Sequence, residues 1–306
     1  MKKRMLFFLN PNAGHTEIRA HLMDVLDIFT RAGYDVTVHP TARPGEMAEL
    51  IAAEGGRYDC ITVTGGDGTV NEAVGGLMRL DCPPPLGYLP GGTVNDVAAT
   101  LQLPKNPLEA AAVVTGGREA RIDLGQFNGR WFAYVAAFGA FTSVAYDTAQ
   151  NDKRLLGRMA YLLRSVMSLG EIRPIPVRAA SAERTIEDRV ILGLVASTTS
   201  VGGFRAKPNL GVSLNDGLSE VIMVREIGSM AELNAAAAAA LRQDFDSEFF
   251  YKFQTSRIEF EFDDEVPWTL DGEFGGAVRR AEIRNRQRAL RILIPYEAAL
   301  PSGLEG

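Results

Sequence analysis

The sequence predicts an α/β fold, with a doubly wound, mostly parallel sheet in the N-terminal part and a β-sandwich domain in the C-terminal part. Strand and helix patterns alternate up to about Arg121, and strands separated by helices predict a parallel sheet. Beyond Arg121, hairpin signals such as Asn128-Gly129 and closely spaced strand patterns dominate, which is typical of antiparallel sheets.

The N-terminal elements alternate from the start of the chain. They are predicted as the strand Arg4–Asn10, the helix His15–Ala32, the strand Tyr34–Thr41, the helix Gly45–Glu54, the strand Asp59–Gly65, the helix Thr69–Leu80 and the strand Leu86–Gly92.

The C-terminal elements are predicted to be mostly strands. They are a hairpin within 121–139 that returns over Trp131–Ala137, the helix Leu155–Leu169, the strands Val177–Ala180, Val190–Thr198, Leu218–Val224, Arg257–Phe262 and Ala289–Ile294, and the helix Met230–Gln243. The domain boundary is expected near Asp123, which gives domains 1–123 and 124–306, and the last strand is expected to return to the first domain.

Composition excludes some classes of function. A net charge of −6 and a pI near 5.3 argue against a general nucleic-acid-binding surface. No apolar segment approaches the roughly 20 residues that a membrane-spanning helix needs. Cys60 and Cys82 form no motif, so reduced cytosolic thiols are expected rather than a disulfide. These features predict a cytoplasmic protein without a nucleic-acid partner.

The segment Gly65-Gly66-Asp67-Gly68-Thr69 lies between a strand pattern and a helix pattern. The start of a helix has unpaired N–H groups and a partial positive charge, and the glycines leave room for an anion such as phosphate. The negative charge of Asp67 is unfavourable beside phosphate unless Asp67 binds a cation, either directly or through a water molecule on that cation. The alternative is an ordinary tight turn in which Asp or Thr caps the helix.

Similar segments follow two other predicted strands. "NPNAG" spans Asn10–Gly14, and "PGGTVND" spans Pro90–Asp96. Because ligands bind at the carboxyl ends of the strands in a parallel sheet, we expect the three turns to meet at one edge and form a single site.

These segments carry a family resemblance. "GGDGTVNEAVGGL", "LPGGTVNDVA" and "WTLDGEFGG" resemble the bacterial soluble diacylglycerol kinases, part of the wider lipid kinases that include the sphingosine kinases. "LLGRMAYLLRSV", "VGGF" and "LNDGLSEVIMV" extend the resemblance along essentially the whole chain. The resemblance implies a first domain like that of NAD kinase and phosphofructokinase, and NAD kinases share the GGDGT element.

The resemblance also implies an activity, a cofactor pair and a set of nucleotide contacts. The first domain would bind ATP with Mg²⁺, and the second would present the lipid hydroxyl that receives the γ-phosphoryl group. Matched position by position, the nucleotide contacts are Asn10, Asn12, Gly14, Thr41, Gly66, Asp67, Gly68, Thr69, Val70, Asn71, Glu72 and Thr93. Amides, hydroxyls and a metal suit phosphoryl transfer, which depends on positioning and charge neutralisation.

Two cation sites are implied as well. Asp67, Asp96 and Asp123 match the family's acidic network around the catalytic Mg²⁺, although each alone is typical of a cap or turn. A structural cation would be bound by Asp216 and by the carbonyls of Ser213 and Leu218, in a segment that also has the pattern of a hairpin turn.

"LDGE" contains Asp271 and Glu273. If this segment is extended, both side chains lie on one face of a strand. The alternative is a type I′ turn, for which Asp-Gly is a common pattern. The resemblance makes Glu273 the general base for the acceptor hydroxyl, with Asp271 orienting the base or the metal.

At two positions where the diacylglycerol kinases have basic residues, this chain has Ala99 and His15 instead. Arg164 keeps a basic residue in the predicted helix. The lipid acceptor therefore stays open. The arginines at 279, 280, 284, 286, 288 and 291 indicate one solvated face of a strand or, alternatively, a patch for lipid headgroups.

We therefore predict a lipid kinase that phosphorylates diacylglycerol to phosphatidic acid while in peripheral contact with a membrane. The alternatives are a soluble metabolite kinase such as NAD kinase, and a nucleotide-binding regulator without turnover. Oligomeric state stays open, with a homodimer among the outcomes.

Overall fold

A computed structural model describes residues 2–10, 17–139, 173–198, 200–201, 204–205 and 213–298. Asn12, Gly14, His15 and the predicted helix Leu155–Leu169 lie outside these ranges. The chain is a mixed α/β protein that divides into two compact units. Unit 1 contains Met1–Leu124 and Gln287–Gly306, and unit 2 contains Gly125–Arg286.

The first half of the chain alternates between strands and helices, as predicted. Its elements are β1 (Lys3–Leu9), α1 (Glu17–Arg31), β2 (Tyr34–Pro40), α2 (Glu46–Glu54), a 3₁₀ turn (Gly55–Arg57), β3 (Cys60–Gly65), α3 (Asp67–Leu77), β4 (Leu86–Pro90), α4 (Asp96–Thr100), α5 (Pro107–Gly116) and β5 (Arg118–Phe127).

The later elements are mainly strands. They are β6 (Arg130–Phe132), β7 (Val135–Gly139), β8 (Ile175–Ser181), β9 (Thr185–Ala196), β10 (Ser200–Val201), β11 (Phe204–Arg205), β12 (Ser219–Arg225), α6 (Met230–Arg242), β13 (Phe250–Thr255), β14 (Arg257–Leu270) and β15 (Glu273–Ile294). β5 and β15 each contribute residues to both units.

The sheet of unit 1 has the strand order β2-β1-β3-β4-β15, and these neighbours pair in parallel. Met5 and Phe7 of β1 join the core formed with α1 and α5. Since side chains alternate along a strand, Leu6 and Phe8 point to the opposite face. All four side chains are buried, and each contributes about 1.5–3 kcal/mol by leaving water.

Helices α2 and α3 of unit 1 pack closely against each other. A Cβ atom on Gly76 would lie 2.8 Å from the carbonyl oxygen of Ala48 and from Cβ of Ile51. A glycine is therefore required where the helices touch, which holds α3 in place at the end of β3.

The strands of unit 2 are antiparallel, in the order β13-β12-β9-β7-β14-β15, and β8 also pairs with β9 and β14. β5 pairs with β15, which lies far from β12 in this order, yet Phe127 of β5 and Val221 of β12 belong to one hydrophobic cluster around Trp268. The sheet therefore curls around this cluster, helped by a register shift between Glu261 and Val266.

The hairpin turn at Asn128-Gly129 is confirmed, with φ angles of 44° and 86° at the two residues. The return segment differs from the prediction, because Trp131–Ala137 is divided between β6 and β7. The final strand is also much longer than Ala289–Ile294, since β15 spans 22 residues. No helix among the described residues is long and apolar enough to cross a membrane.

Unit 2 buries the carboxyl of Glu220 in β12 without an ion-pair partner among the described residues. Glu220 is 6% exposed, and its Oε1 accepts a hydrogen bond of 2.9 Å from Gln254. Its Oε2 is buried and has no hydrogen-bond partner within the described ranges. Burial raises the pKa of Glu220 to about 7, and the charge of Asp216 adds to the rise, while Lys252 opposes it.

Glu220 makes stability depend on pH in a defined direction. Its pKa is higher in the folded state than the ordinary value of 4.5, so its contribution is fully present below pH 4.5 and is lost as the pH rises through about 7. A shift of this size corresponds to about 3 kcal/mol.

Glu220→Gln mimics the protonated acid, so the variant should unfold with a smaller loss of stability between pH 5 and pH 8 than the wild type. Urea unfolding at both pH values measures the difference. Glu265→Gln, at an exposed position of β14, is the control and should keep the wild-type pH dependence. Equal pH dependence in all three proteins would contradict the assignment.

Candidate functional site

Three parallel strands of unit 1 end side by side. β3 pairs with both β1 and β4, so their carboxyl ends share one edge of the sheet. The N–H of Asn10 donates to the carbonyl of Thr64 at 3.4 Å, and that of Gly91 donates to Gly65 at 2.7 Å. The turns after β3 and β4 therefore meet, as expected, together with Asn10 at the end of β1.

The two glycine-rich turns touch through their backbones. A Cβ atom on Gly92 would lie 2.5 Å from Cα of Gly66, a distance that real Cβ atoms do not reach. A Cβ on Gly65 would lie 2.2 Å from Oγ1 of Thr69. These glycines are thus required by packing within the protein, whatever ligand binds beside them.

Gly68 lies in the first turn of α3, is exposed, and does not have a positive φ. Helix α3 begins without a side-chain cap after Gly66. Within the described part of the chain, no acceptor contacts the N–H groups of Asp67 and Gly68. The start of α3 can therefore accept an anion.

Asn95 shapes the turn after β4, a role that the sequence argument missed. Its side chain accepts a hydrogen bond of 2.9 Å from the N–H of Gly92 and donates one of 2.8 Å to the Gly92 carbonyl. The Tyr88 hydroxyl donates to both Asn95 and the Gly65 carbonyl. Asn95 has a φ of 57°, which Asn tolerates better than most residues.

Asp67 joins two of the turns. Its Oδ2 and Oδ1 accept hydrogen bonds of 3.0 and 3.1 Å from the N–H groups of Asp96 and Val97, at the start of α4. Burial raises the pKa of Asp67 and the Asp96 carboxylate raises it further, while hydrogen bonds from the N–H groups of Val97, Asp96 and Asn95 oppose the rise. Asp67 therefore has a structural role beside any role with a metal.

The expected acidic network is assembled only in part. Asp67 and Asp96 interact electrostatically. Asp123 is 1% exposed, and its Oδ1 accepts a 2.7 Å hydrogen bond from the N–H of Arg288, where β15 has a positive φ of 54°. Across the described ranges, no group of three His, Cys, Asp or Glu side chains could hold a metal ion. The three aspartates therefore do not form one metal cluster.

Several residues that we expected to contact the nucleotide form hydrogen bonds or packing contacts within the protein instead. The Glu72 carboxylate accepts a 2.9 Å hydrogen bond from the N–H of Met47 in α2. The Thr41 hydroxyl donates to the Leu9 carbonyl. The side chain of Val70 is fully buried in the core, so only its backbone could contact a ligand.

Other residues that we expected to contact the nucleotide lie at the edge of the sheet. The Asn10 amide donates to the Thr69 hydroxyl at 3.3 Å, which connects the end of β1 with α3. Asn71 is partly buried, and Thr93 is exposed in the turn after β4. With the start of α3, these side chains form the polar part of the candidate site.

In unit 2, "LDGE" forms the turn of the β14–β15 hairpin. Asp271 and Gly272 have φ angles of 52° and 86°, and Leu270 pairs with Glu273 across the turn. The type I′ turn is confirmed, and the extended conformation with both carboxylates on one face is wrong.

The side chain of Asp271 points into the protein. It is 5% exposed and accepts hydrogen bonds of 2.5, 2.9 and 3.0 Å from the N–H groups of Ala133, Tyr134 and Val135. Glu273 is exposed and contacts no donor or cation among the described residues. Asp271 therefore holds the hairpin in place, whereas the Glu273 side chain lies at the surface of the turn.

The proposed structural cation site stays a prediction. Asp216 is exposed and its Oδ1 accepts a 2.9 Å hydrogen bond from the N–H of Leu218, around Gly217 with a φ of 82°. Ser213 is buried. The turn pattern is thus confirmed, and it is compatible with a cation.

The arginine-rich part of β15 is a solvated strand face rather than a free basic patch. Most of its side chains contact acidic or polar partners, with the pairs Arg279–Asp264, Arg280–Glu261, Arg284–Glu282, Arg286–Gln126 and Arg291–Glu119. Much of the positive charge is therefore neutralised locally.

Comparison with known proteins agrees with this fold. A diacylglycerol kinase catalytic domain is recognised over residues 4–127. The chain is 35% identical to a diacylglycerol kinase of Bacillus subtilis (strain 168) over 301 residues, which is 97% of this chain and 98% of that protein. The chain belongs to the diacylglycerol kinase family.

Other members of the family are similar over nearly the same length. The diacylglycerol kinase of Staphylococcus saprophyticus is 31% identical over 279 residues, 90% of each chain. A crystal structure from Bacillus anthracis str. Sterne superposes with a TM-score of 0.82 at 25% identity, covering 96% of this chain and 95% of that one. The relatives thus share the architecture of the whole chain.

Gly92→Ala should lower the free energy of unfolding by about 1–3 kcal/mol, because its Cβ forces the two turns apart. Gly75→Ala is the matched control in α3, since nothing lies within 4 Å of its added Cβ. Removing a glycine from a helix should stabilise the protein by about 0.5–1 kcal/mol. Chemical denaturation measures both, and effects of the same sign would contradict the packing argument.

Asp271→Asn should destabilise the protein by about 1–3 kcal/mol, because an amide group cannot accept hydrogen bonds from all three N–H donors. Asp264→Asn, on the strand β14 that leads into this turn but with a 94% exposed side chain, should be nearly silent. Thermal unfolding compares the two. A wild-type unfolding temperature for Asp271→Asn would show that these hydrogen bonds contribute nothing.

Proposed function

We propose that this protein transfers the γ-phosphoryl group of ATP to the hydroxyl of diacylglycerol, giving phosphatidic acid. The observation that carries the proposal is the open start of α3, where the N–H groups of Asp67 and Gly68 have no acceptor among the described residues, beside the packed glycine turns. The similarity to a diacylglycerol kinase over 97% of the chain supports the choice of acceptor.

The nucleotide phosphates would bind at the start of α3, where backbone N–H groups and the helix dipole stabilise negative charge. Asn10, Thr69 and Thr93 offer polar side chains nearby, at the ends of the same strands. Hydrogen-bond donors that are already in position lower the barrier to phosphoryl transfer, because they need no rearrangement when charge moves.

Asp67 and Asp96 would hold the Mg²⁺ of the nucleotide. Mg²⁺ keeps several water ligands and is commonly bound by one or two carboxylates together with phosphate oxygens, so a cluster of three acidic side chains is unnecessary. The Asp67 carboxylate accepts hydrogen bonds from backbone N–H groups of 95–97, and because an ionised carboxylate has about four acceptor sites, it keeps capacity for a metal. The metal would neutralise charge on the phosphates.

Glu273 would remove the proton from the acceptor hydroxyl. Its exposure and its freedom from protein partners among the described residues suit a group that must reach a substrate. Asp271 would act indirectly, by fixing the turn that carries Glu273.

Further features belong to the proposal. Because diacylglycerol resides in the bilayer, the enzyme would work in peripheral contact with a cytoplasmic membrane surface. Unit 1 would be the nucleotide-binding domain, of the type found in NAD kinase, and unit 2 would be the acceptor domain, arranged as a sandwich. A homodimer and a role in phospholipid synthesis are compatible with this activity.

Transfer of labelled phosphate from γ-labelled ATP tests the proposal. The purified protein is incubated with Mg²⁺ and with detergent micelles of diacylglycerol, of sphingosine, or with NAD. Label in phosphatidic acid is the expected result. Label only in NAD would show a metabolite kinase, and ATP binding without any product would indicate a regulator.

Glu273→Gln keeps the size of the side chain but cannot accept the proton. We expect kcat to fall by about 10² or more, while the dissociation constant for ATP stays near the wild-type value. Glu265→Gln, which is also exposed, should retain kcat. Lost ATP binding in Glu273→Gln, or a kcat equal to that of Glu265→Gln, would contradict its role as the base.

A further inference from the structure

A cavity lies beside the candidate nucleotide site in unit 1. Its lining includes Thr64, Gly91, Gly92 and Thr93, from the ends of β3 and β4, and also Lys105 from the α4–α5 connection. Ile18 of α1 and Pro107 of α5 contribute as well, and Lys105 is the only charged residue of this described lining.

The ammonium group of Lys105 is available to a ligand. Its side chain is exposed and forms no ion pair with any residue in the described part of the chain. Several other basic residues of unit 1 are already paired, as Arg43 is with Glu49 and Arg291 with Glu119.

The backbone on both sides of Lys105 is anchored. The N–H of Leu103 donates to the Ala98 carbonyl at 2.9 Å. The next residue, Asn106, caps α5 by accepting hydrogen bonds from Leu108 and Glu109 at 2.9 and 3.3 Å. Only the side chain of Lys105 would therefore lose freedom when it binds a ligand, which keeps the entropic cost of the contact low.

The negative charges around the two glycine-rich turns favour a cationic side chain nearby. Asp67 and Asp96 bring two carboxylates to the edge where a polyphosphate would add more negative charge. The segment Gly65–Thr69 has no lysine that could offset it. We propose that Lys105 binds the phosphate groups of the nucleotide from the side of the β4 turn. This inference rests on the proposed function.

Competition binding against a fluorescent ATP analogue tests the inference. The competitors are ATP, inorganic tripolyphosphate and adenosine, and the variants are Lys105→Met, which removes the charge, and Lys105→Arg, which keeps it. Lys2→Ala is the control, because Lys2 is exposed just before the amino end of β1, at the opposite edge of the same sheet.

We expect Lys105→Met to weaken binding of ATP and of tripolyphosphate by about tenfold or more, as for a hydrogen bond to a charged group. Binding of adenosine should not change, because it has no phosphate. Lys105→Arg should restore most of the affinity, and Lys2→Ala should match the wild type.

Two results would overturn the inference alone: wild-type ATP affinity in Lys105→Met, or an equal loss for ATP and adenosine, which would indicate a displaced turn. A wild-type protein that binds no ATP would overturn the proposed function and the inference with it. Thermal unfolding of Lys105→Met shows whether the variant is folded in each case.

Discussion

The contact between the turns at Gly66 and Gly92 is the constraint on which the rest of the candidate site depends. No side chain separates the two backbones, so the helices that follow, α3 and α4, begin beside each other. That proximity lets Asp67, the first residue of α3, accept hydrogen bonds from the start of α4. The position of the start of α3, where we propose that phosphate binds, is therefore set by backbone packing within the protein.

Buried or partly buried carboxylates recur as connectors between distant segments of this chain. Asp67 accepts hydrogen bonds from N–H groups of α4, Asp123 accepts one from β15, and Asp271 accepts three from residues 133–135, where β7 begins. Each is an acidic residue that motif analysis associates with catalysis or metal binding. A carboxylate can satisfy several backbone donors at once, so one residue can serve both the fold and the chemistry.

The sequence was most informative where a pattern is local. The alternating strands and helices follow from the period at which hydrophobic residues recur. The Asn128-Gly129 turn follows from two residues that tolerate a positive φ. Helices α4 and α5 were missed because α4 has only five residues and α5 is apolar on all sides. The partners of Asp271 and Glu72 could not be predicted, because they are distant in sequence and bond through backbone groups that carry no residue-specific signal.

The division of unit 1 between both ends of the chain has a consequence for synthesis on the ribosome. Strand β4 has β3 on one side, and its other side is occupied by β15 through the pairing of Leu86 with Ile292. Until β15 has emerged from the ribosome, the nascent chain keeps β4 as an exposed sheet edge, the kind of surface on which other chains add strands. The edge is therefore covered only when β15 pairs with it, and not when the first half of the chain has folded, so partly synthesised chains are the ones prone to aggregation.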